Sequence, residues 1–240
     1  MACKKNLEAF VHWFIYKIVY PFYRIIYFYK RKCWRISNNK ANKLGYNQIS
    51  NSTEENRYPE IFDYARKLTS DNITMRILSF GCSYGLECKS LRRYFPSAYI
   101  VGYDIFKENI DIAAEKIDDV NIKFTSEWEN VKREKHFDII FAMSVLCRTP
   151  HSINKKNISK IYPFVKFEEQ ITEIDSIIRK GGLFVLYNTN FLFTDTAVSA
   201  KYKTLSIPNF NDSGCIPKFD KNNKLLANQE YQYSIFKKFQ

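Results

Sequence analysis

Short apolar runs alternate with amphipathic stretches through most of the chain. One run, residues 77–80, stops at Gly81, and a second run occupies Tyr99–Tyr103. Between them, Leu86–Tyr94 carries apolar residues at roughly helical spacing. Short apolar runs that end in glycine are typical of buried parallel strands, whereas the helical spacing predicts the connecting helix. Residues 76–104 are therefore predicted to form one strand–helix–strand unit.

The same alternation continues on both sides of this unit. Further helices are predicted at Glu60–Leu68, Glu108–Ile117 and Phe167–Arg179, and further strands at Asn121–Phe124, Phe137–Met143 and Leu183–Tyr187. Gly181 and Gly182 are expected to end the last of these helices. The tail, Lys218–Phe239, is expected to supply two antiparallel strands. The pattern predicts an α/β fold with a Rossmann-like, doubly wound sheet that is mostly parallel and has an antiparallel C-terminal strand.

The N-terminal region has a different pattern. Lys17, Arg24 and Arg31 recur every seven residues within an aromatic-rich stretch. On a helix they form a narrow polar stripe beside a wide apolar face, and Pro21 would kink that helix. We therefore predict three parts, listed in chain order: an amphipathic helical extension over residues 1–45, a polar linker over 46–58, and an α/β domain over 59–240.

The positive charge is concentrated in the predicted extension. The chain has 240 residues and a net charge of +12, and residues 1–45 hold 10 Lys and Arg residues against one acidic residue. Residues 46–200 hold 20 basic and 21 acidic residues. A nearly neutral domain argues against a nucleic-acid cleft across it.

Residues 7–29 allow three interpretations. A helix lying on the cytoplasmic membrane face fits the aromatic residues and the basic residues that follow, so residues 7–35 are expected to meet anionic lipids. A helix packed on the domain or on a partner is the second interpretation. A membrane-spanning helix is the third, but Lys17 near the bilayer centre would cost about 2.5–3.5 kcal/mol. We expect a cytoplasmic protein, peripheral on the inner membrane face.

The glycine loop after the first strand suggests a nucleoside-binding site. Gly81 and Gly85 bracket this loop, and Asp104 follows the second strand, 23 residues after Gly81. Glycine lets a ligand approach the backbone, the helix behind it offers unpaired N–H groups, and the acid can accept hydrogen bonds from ribose hydroxyls. The loop is neither Gly-x-Gly-x-x-Gly nor a P-loop, which weakens a dinucleotide or nucleoside-triphosphate interpretation.

Two stretches resemble motifs of class I S-adenosylmethionine-dependent methyltransferases. Leu78–Glu87, which contains Gly-Cys-Ser-Tyr-Gly, is similar to motif I, and most similar to the chemotaxis-receptor methyltransferases, except that Leu86 replaces the first of their two glutamates. Phe137–Leu146, Phe-Asp-Ile-Ile-Phe-Ala-Met-Ser-Val-Leu, resembles motif IV. The resemblance extends over about residues 58–240 and implies S-adenosylmethionine as cofactor.

The resemblance implies a set of cofactor-binding residues at the carboxyl ends of four strands: Gly81, Cys82, Ser83 and Gly85 in the loop, Asp104 and Ile105 after the second strand, Ser126 and Glu127 after the third, and Met143 and Ser144 after the fourth. Trp128 is either a stacking partner for adenine or a tryptophan of the core or the surface. No catalytic residue is assigned, because the sulfonium methyl group is already activated and a general base is optional.

Other reactive side chains give weaker indications of a functional site. Cys147 and His151 invite a nucleophile–base interpretation, but no orienting third group is visible in the sequence. Arg148 is a candidate for binding an acidic substrate. The six cysteines contain no Cys-x-x-Cys pair, so no metal site is expected and reduced cytosolic thiols are the simpler interpretation.

The sequence therefore predicts methyl transfer from S-adenosylmethionine to an unidentified acceptor, and the pattern of the N-terminal region favours the cytoplasmic membrane surface as its location. The alternative is a non-catalytic, membrane-associated protein that binds a nucleoside ligand in a degenerate methyltransferase fold. Ser79 and Leu86 support it, because the resemblance implies acids at these two positions. A nicotinamide-dependent oxidoreductase is a third candidate, and it predicts NAD binding. Detection of methyl transfer separates the first hypothesis from the other two.

Overall fold

A computed structural model describes residues 47, 48, 50–210, 212–231 and 233–240. The predicted amphipathic extension, residues 1–45, lies outside these residues. The described residues belong to one compact unit, Asn47–Gln240. Within them, no helix combines the length and the apolar character needed to cross a bilayer.

Helices and strands alternate along the chain. The helices are α1 (Pro59–Lys67), α2 (Leu86–Tyr94), α3 (Lys107–Lys116), α4 (Trp128–Glu134) and α5 (Phe164–Ile177). The strands are β1 (Arg76–Phe80), β2 (Tyr99–Tyr103), β3 (Ile122–Thr125), β4 (Phe137–Met143), β5 (Ile178–Tyr187), β6 (Tyr202–Leu205) and β7 (Ile235–Lys238). Two short 3-10 helices, Phe193–Asp195 and Ala197–Lys201, precede β6.

The strands form one sheet in the order β3-β2-β1-β4-β5-β7-β6. Strands β1 to β5 pair in parallel, whereas β7 is antiparallel to both of its neighbours. The order changes direction between β1 and β4, which is the switch point where doubly wound sheets bind ligands at their carboxyl edge. The predicted fold class, with an antiparallel C-terminal strand, is confirmed.

Apolar packing covers both faces of the sheet. Alternate strand residues such as Ile77 and Ile139 pack with α1, α2 and α3, and their neighbours Leu78 and Ile140 pack with α4 and α5. Side chains of a strand point alternately to the two faces, so a strand covered on both sides reads as a continuous apolar run. This double burial explains why the sequence reveals β1, β2 and β4 so clearly.

The structure corrects the prediction for residues 178–182. Helix α5 ends at Ile177, and Gly181 and Gly182 lie inside β5 instead of ending the helix. The pairing shifts register there, from Phe137 opposite Ile178 to Ile139 opposite Leu183. Gly181 has a φ of 81°, so this irregularity uses the left-handed conformation that glycine adopts without strain.

The prediction of two strands in the tail is wrong in part. Strand β7 lies in the tail, but β6 is formed earlier by Tyr202–Leu205. The first extended stretch of the tail instead makes a turn around Asp220–Asn223, closed by an isolated bridge between Phe219 and Leu225. Helix α4 was not predicted, because it is only seven residues long and Val131 is its one buried residue.

Candidate active site

The loop between β1 and α2 is shaped by two glycines. Gly81 has a φ of 84°, and a Cβ there would lie 2.7 Å from the Cβ of Val145. Gly85 has a φ of 80°, and its Cβ would lie 2.8 Å from Cδ1 of Ile117. Both positions therefore require glycine for conformation and for space. The N–H groups of Gly81 and Cys82 donate to the carbonyl of Tyr103, at 2.7 and 2.9 Å, which ties the loop to the end of β2.

Asp104 is the central acceptor of this site. Its Oδ2 accepts a hydrogen bond from the N–H of Ser83 at 2.8 Å, and its Oδ1 accepts from the N–H of Phe106 and from Nδ2 of Asn109. Burial raises the pKa of Asp104 above its usual value, although these three hydrogen bonds oppose the shift. An ionised carboxylate has about four acceptor positions, and three are used here, so about one remains for a ribose hydroxyl.

A second carboxylate lies beside the loop and was not identified from the sequence. Glu87, in the first turn of α2, accepts a hydrogen bond of 2.7 Å from Oγ of Ser79. Burial raises the pKa of Glu87 to about 7. The family resemblance implies an acid at position 79, and Glu87 places a carboxylate beside the serine found there. The sequence signal was Glu87 itself, which matches the second glutamate of the chemotaxis-type loop.

Asn51 joins the loop to α3. Its carbonyl accepts from Oγ of Ser83 at 3.2 Å, and its Nδ2 donates to the hydroxyl of Tyr84 at 3.3 Å. Its side-chain amide also exchanges two hydrogen bonds with that of Asn109, at 3.2 and 3.1 Å. Asn109 in turn contacts Asp104. The stretch predicted as a polar linker, residues 46–58, thus contributes a residue to the edge of the site.

Residues 55 and 56 hold this stretch against α2. Glu55 forms ion pairs with Lys89 and Arg93. The N–H of Asn56 donates to Oγ of Ser90 at 2.7 Å. These contacts fix the chain immediately before Tyr58 and α1.

The carboxyl end of β4 provides a polar junction. Met143 is buried, and Ser144 follows it with a φ of 57°. The hydroxyls of Ser144 and Tyr58 are 2.7 Å apart, and Nδ2 of Asn188, after β5, donates to Oγ of Ser144 at 3.0 Å. Tyr58 was not among the predicted site residues, because it lies 86 residues from Ser144 in the sequence.

The remaining predicted residues follow β2 and β3 at the same edge of the sheet. Ile105 is 42% exposed, which is unusual for isoleucine and leaves an apolar surface beside Asp104. Ser126 is half-buried, and Glu127 is exposed. Trp128 is partly buried and packs against Phe80 and Tyr103, with ring centroids 5.6 and 5.3 Å away, which is the environment expected of a core residue.

Two further candidate residues, Cys147 and Arg148, are buried in the structure. Cys147 is fully buried, and burial raises the pKa of its thiol to about 11, which disfavours the thiolate required of a nucleophile. Arg148 is 1% exposed, so its guanidinium lies inside the protein. Among the described residues, no group of three or more His, Cys, Asp or Glu side chains is arranged to hold a metal ion.

A cleft of ≈ 370 Å³ lies beside the polar junction. Its walls include both Tyr58 and Asn188, which contact Ser144. Tyr187, the last residue of β5, contributes a further wall. Ser144, which directly follows β4 and is one of the predicted cofactor residues, therefore also contacts the wall of this cleft.

Solved structures that are similar to this chain include the following three. The plantazolicin methyltransferase BpumL in complex with a monoazolic desmethylPZN analog and SAH is 18% identical, with a TM-score of 0.39 over 68% of this chain and 56% of that chain. PKMT2 from Rickettsia typhi in complex with AdoHcy is 16% identical, with a TM-score of 0.37 over 57% of this chain and 25% of that chain. The cyclopropane synthase MmaA2 from Mycobacterium tuberculosis is 14% identical, with a TM-score of 0.38 over 52% of this chain and 40% of that chain.

The matched region spans between a quarter and a little over half of these solved chains. No curated protein sequence matches the chain. The sequence model of the family described as "Methyltransferase domain" matches residues 53–212, which is more than half of the chain. The match includes the glycine loop, Asp104 and Ser144. The chain therefore belongs to this methyltransferase family, with the class I fold and S-adenosylmethionine as cofactor.

Proposed function

We propose that this protein transfers a methyl group from S-adenosylmethionine to an acceptor that enters through the cleft at the end of β5. The observation that carries the proposal is the gathering of the glycine loop, Asp104 and Ser144 at one edge of the sheet. These residues follow β1, β2 and β4, which are adjacent strands. Ligands of doubly wound sheets bind at this edge, near the switch point.

The available donors and acceptors fit the chemistry of the cofactor. Asp104 is suited to accept a hydrogen bond from a ribose hydroxyl, and Glu87 is suited to the cationic ammonium of the methionine part. The predicted residues Ile105, Ser126 and Glu127 surround the position proposed for adenine. Met143 and Ser144, with the backbone of residues 81–85, are assigned to the methionine part and the sulfur.

When bound, the cofactor supplies a methyl group activated by its positive sulfur. The protein then has to align the acceptor atom, the methyl carbon and the sulfur, and to exclude water from them. Ser144 is held by Tyr58 and Asn188, so its hydroxyl has a defined position between the two proposed sites. This arrangement supports a catalytic strategy based on orientation.

Within the family, the loop Gly81-Cys82-Ser83-Tyr84-Gly85 favours the chemotaxis-receptor type. This subtype rests on the loop alone, and we do not extend the receptor substrate to this protein.

Titration calorimetry of the full-length protein with S-adenosylmethionine and S-adenosylhomocysteine tests the cofactor site. We expect micromolar binding that Asp104→Ala abolishes, followed by transfer of radioactive methyl groups into fractions of a cell extract. Binding without any transfer would favour the non-catalytic nucleoside-binding alternative. Binding of NAD in place of either ligand would favour an oxidoreductase.

We also propose that residues 7–35 hold the enzyme at an anionic membrane surface. The support is the basic stripe of Lys17, Arg24 and Arg31 beside aromatic residues. Co-sedimentation with vesicles of phosphatidylglycerol and phosphatidylcholine tests it against vesicles of phosphatidylcholine alone. Equal sedimentation with both would contradict the proposal, and so would an unchanged result after replacement of the three basic residues by glutamine.

A further inference from the structure

The cleft lies where a methyl acceptor has to arrive. The proposed cofactor residues follow β1, β2, β3 and β4, and the cleft lies at the carboxyl end of β5, the neighbour of β4 in the sheet. Neighbouring strands are only about 4.8 Å apart, so the two sites adjoin each other. Ser144 connects them directly, because its hydroxyl contacts both Tyr58 and Asn188 of the cleft wall.

Three aromatic rings form the apolar part of this cleft. Tyr58 and Tyr187 pack edge to face, with ring centroids 5.3 Å apart. Tyr187 and Phe210 lie 6.1 Å apart, centroid to centroid. The faces of such rings carry negative electrostatic potential, which attracts a cation placed within about 6 Å. The cleft volume of ≈ 370 Å³ is in the range of small-molecule sites.

Two carboxylates add negative charge at the cleft. Glu60, in the first turn of α1, and Asp212 are both exposed and line the cleft. The N–H of Gly214 donates to Oδ1 of Asp212 at 2.7 Å, which fixes this carboxylate. Burial raises the pKa of Tyr187, and its hydrogen bond with Asp212 adds to the effect. The Tyr187 hydroxyl therefore stays protonated beside the Asp212 carboxylate.

Arg57 provides the opposing positive charge of the cleft lining. Its guanidinium lies over the ring of Tyr58, 5.3 Å from the centroid, and its Nη1 donates to the carbonyl of Ser52 at 3.2 Å. This cation is therefore already paired with an aromatic face and a backbone carbonyl. The cleft as a whole presents three rings and two carboxylates against one engaged cation, which favours a positively charged ligand over an anion.

We propose that the methyl acceptor is a small amine with an aromatic or apolar body, bound in this cleft. The inference rests on the proposed methyl transfer and adds to it the class of acceptor. The body would pack among Tyr58, Tyr187 and Phe210, and the ammonium group would be attracted by the rings and by Glu60 and Asp212.

The reaction balances without any further reagent. The bound ammonium first loses one proton, to water or to the Asp212 carboxylate, which gives a neutral amine with a lone pair. The amine nitrogen then uses that pair to form a bond to the methyl carbon, while the carbon–sulfur bond breaks and its electron pair stays on sulfur. The products are the methylated ammonium and neutral S-adenosylhomocysteine.

Four probes of similar size test the charge preference of the cleft: benzyltrimethylammonium, benzylamine, benzyl alcohol and benzoate. Calorimetry uses the full-length protein saturated with S-adenosylhomocysteine. We expect the two cations to bind about tenfold more tightly than benzyl alcohol, and benzoate to bind most weakly. Mass spectrometry should also detect methylated benzylamine when S-adenosylmethionine is supplied.

A double variant and a matched control assign the effect to the two carboxylates. Glu60→Gln with Asp212→Asn removes both charges at nearly constant shape, and we expect it to weaken binding of benzyltrimethylammonium about tenfold. Glu115→Gln removes an exposed charge on α3 and should leave binding unchanged. Binding of S-adenosylhomocysteine is measured for each variant as a check on folding and on the cofactor site.

The outcomes separate the two proposals. If S-adenosylhomocysteine does not bind the wild-type protein, the proposed function itself fails. If it binds, the amine inference is overturned by benzoate binding as tightly as the cations, by none of the probes binding at millimolar concentration, or by an unchanged affinity in the double variant. Preferred binding of benzyl alcohol would instead indicate a neutral hydroxyl acceptor.

Discussion

Ser79 and Glu87 are eight positions apart in the chain, yet the serine hydroxyl donates a hydrogen bond of 2.7 Å to the glutamate carboxylate. The strand and the helix that carry them meet at the glycine loop. Position 79 is where the family resemblance led us to expect an acid, and its absence weakened the case for an active enzyme. Glu87 places a carboxylate beside Ser79 from the first turn of α2.

The first prediction concerns the pH dependence of cofactor binding. Because the pKa of Glu87 is raised to about 7, the side chain is ionised and attracts the cofactor ammonium only above that pH. The amino group of the cofactor loses its own charge above about pH 8. Calorimetry across about pH 6 to 9 should therefore give a bell-shaped affinity profile.

Glu87→Gln should lower the affinity for S-adenosylmethionine about tenfold near pH 7.5 and remove the acid limb of that profile, while the alkaline limb remains. Ser79→Ala is the matched variant. It removes the hydrogen bond that lowers the pKa of Glu87, so the acid limb should move to higher pH. An acid limb that persists in Glu87→Gln would show that another group controls it.

The second prediction concerns Asp104. Asp104→Asn keeps the size of the side chain but loses the negative charge and one acceptor, and its amide N–H₂ would face the N–H groups that now donate to the carboxylate. We expect a loss of S-adenosylmethionine affinity of about 10- to 100-fold, measured by calorimetry.

Asp111→Asn is the control for this variant. Asp111 is an exposed residue of α3 that pairs with Lys107, and exposed ion pairs of this kind contribute little. Its affinity for S-adenosylmethionine should equal that of the wild type. An Asp104→Asn variant that binds as tightly as this control would remove Asp104 from the cofactor site.

The third prediction separates steric crowding from backbone strain. Gly81→Ala introduces both backbone strain, because φ is 84°, and steric overlap, because the new Cβ would collide with Val145. Gly181→Ala introduces only backbone strain. Its φ is 81°, but the nearest atom to the new Cβ belongs to the flexible Arg179 side chain, at 3.4 Å. Strain costs about 1–2 kcal/mol, and overpacking adds about 1–3 kcal/mol.

Urea unfolding should therefore show a larger loss of stability for Gly81→Ala than for Gly181→Ala. Only Gly81→Ala should also weaken cofactor binding, because Gly181 lies in the β5 irregularity, at the opposite end of the strand from Asn188. Equal losses in the two variants would mean that Val145 moves aside without cost.

The fourth prediction concerns Lys218, which is 3% exposed. Burial lowers the pKa of Lys218 to about 8, below the value of about 10.4 expected in the unfolded chain. The unfolded state thus binds more protons between these two pH values, so the destabilising effect of this buried ammonium is full below about pH 8 and disappears towards about pH 10.5.

Lys218→Met should consequently raise the free energy of unfolding at pH 7 by about 1–3 kcal/mol, with a gain that shrinks as the pH rises to about 10. The control is Lys221→Met at an exposed position of the nearby turn, for which no such pH-dependent gain is expected. Urea unfolding at several pH values measures both. A gain in Lys218→Met that is independent of pH would assign the effect to packing alone.

The sequence predicted the helices and strands in which burial requires a continuous run or a regular spacing of apolar residues. The bounds predicted for α2, β2 and β4 agree with the structure, because the strands are covered on both faces and the helix has one apolar face. Strand β6 was missed because it has only four residues and one buried position. Its pairing with β7 joins residues that are 30 to 36 positions apart in the sequence, which no local pattern indicates.

The sequence predicted those residues of the candidate site that directly follow a strand. Gly81, Asp104 and Ser144 each come directly after a predicted strand, so the fold rule alone brings them to one edge. The partners that orient them come from elsewhere in the chain. Asn51 contacts Asn109, 58 positions away in the sequence, and Tyr58 contacts Ser144, 86 positions away. The periodicity of apolar residues carries no information about contacts at such separations.

The position of β7 has a consequence for synthesis of the protein. It is the seventh strand along the chain but lies between β5 and β6 in the sheet. During translation, β6 therefore emerges from the ribosome without its partner, and β5 keeps an open edge until residue 238 has been made. An open edge of this kind readily pairs with other chains. A nascent chain that stops before Ile235 would thus expose the unpaired edge of β5. Binding of chaperones to such a chain should therefore end once Ile235–Lys238 has been made and paired.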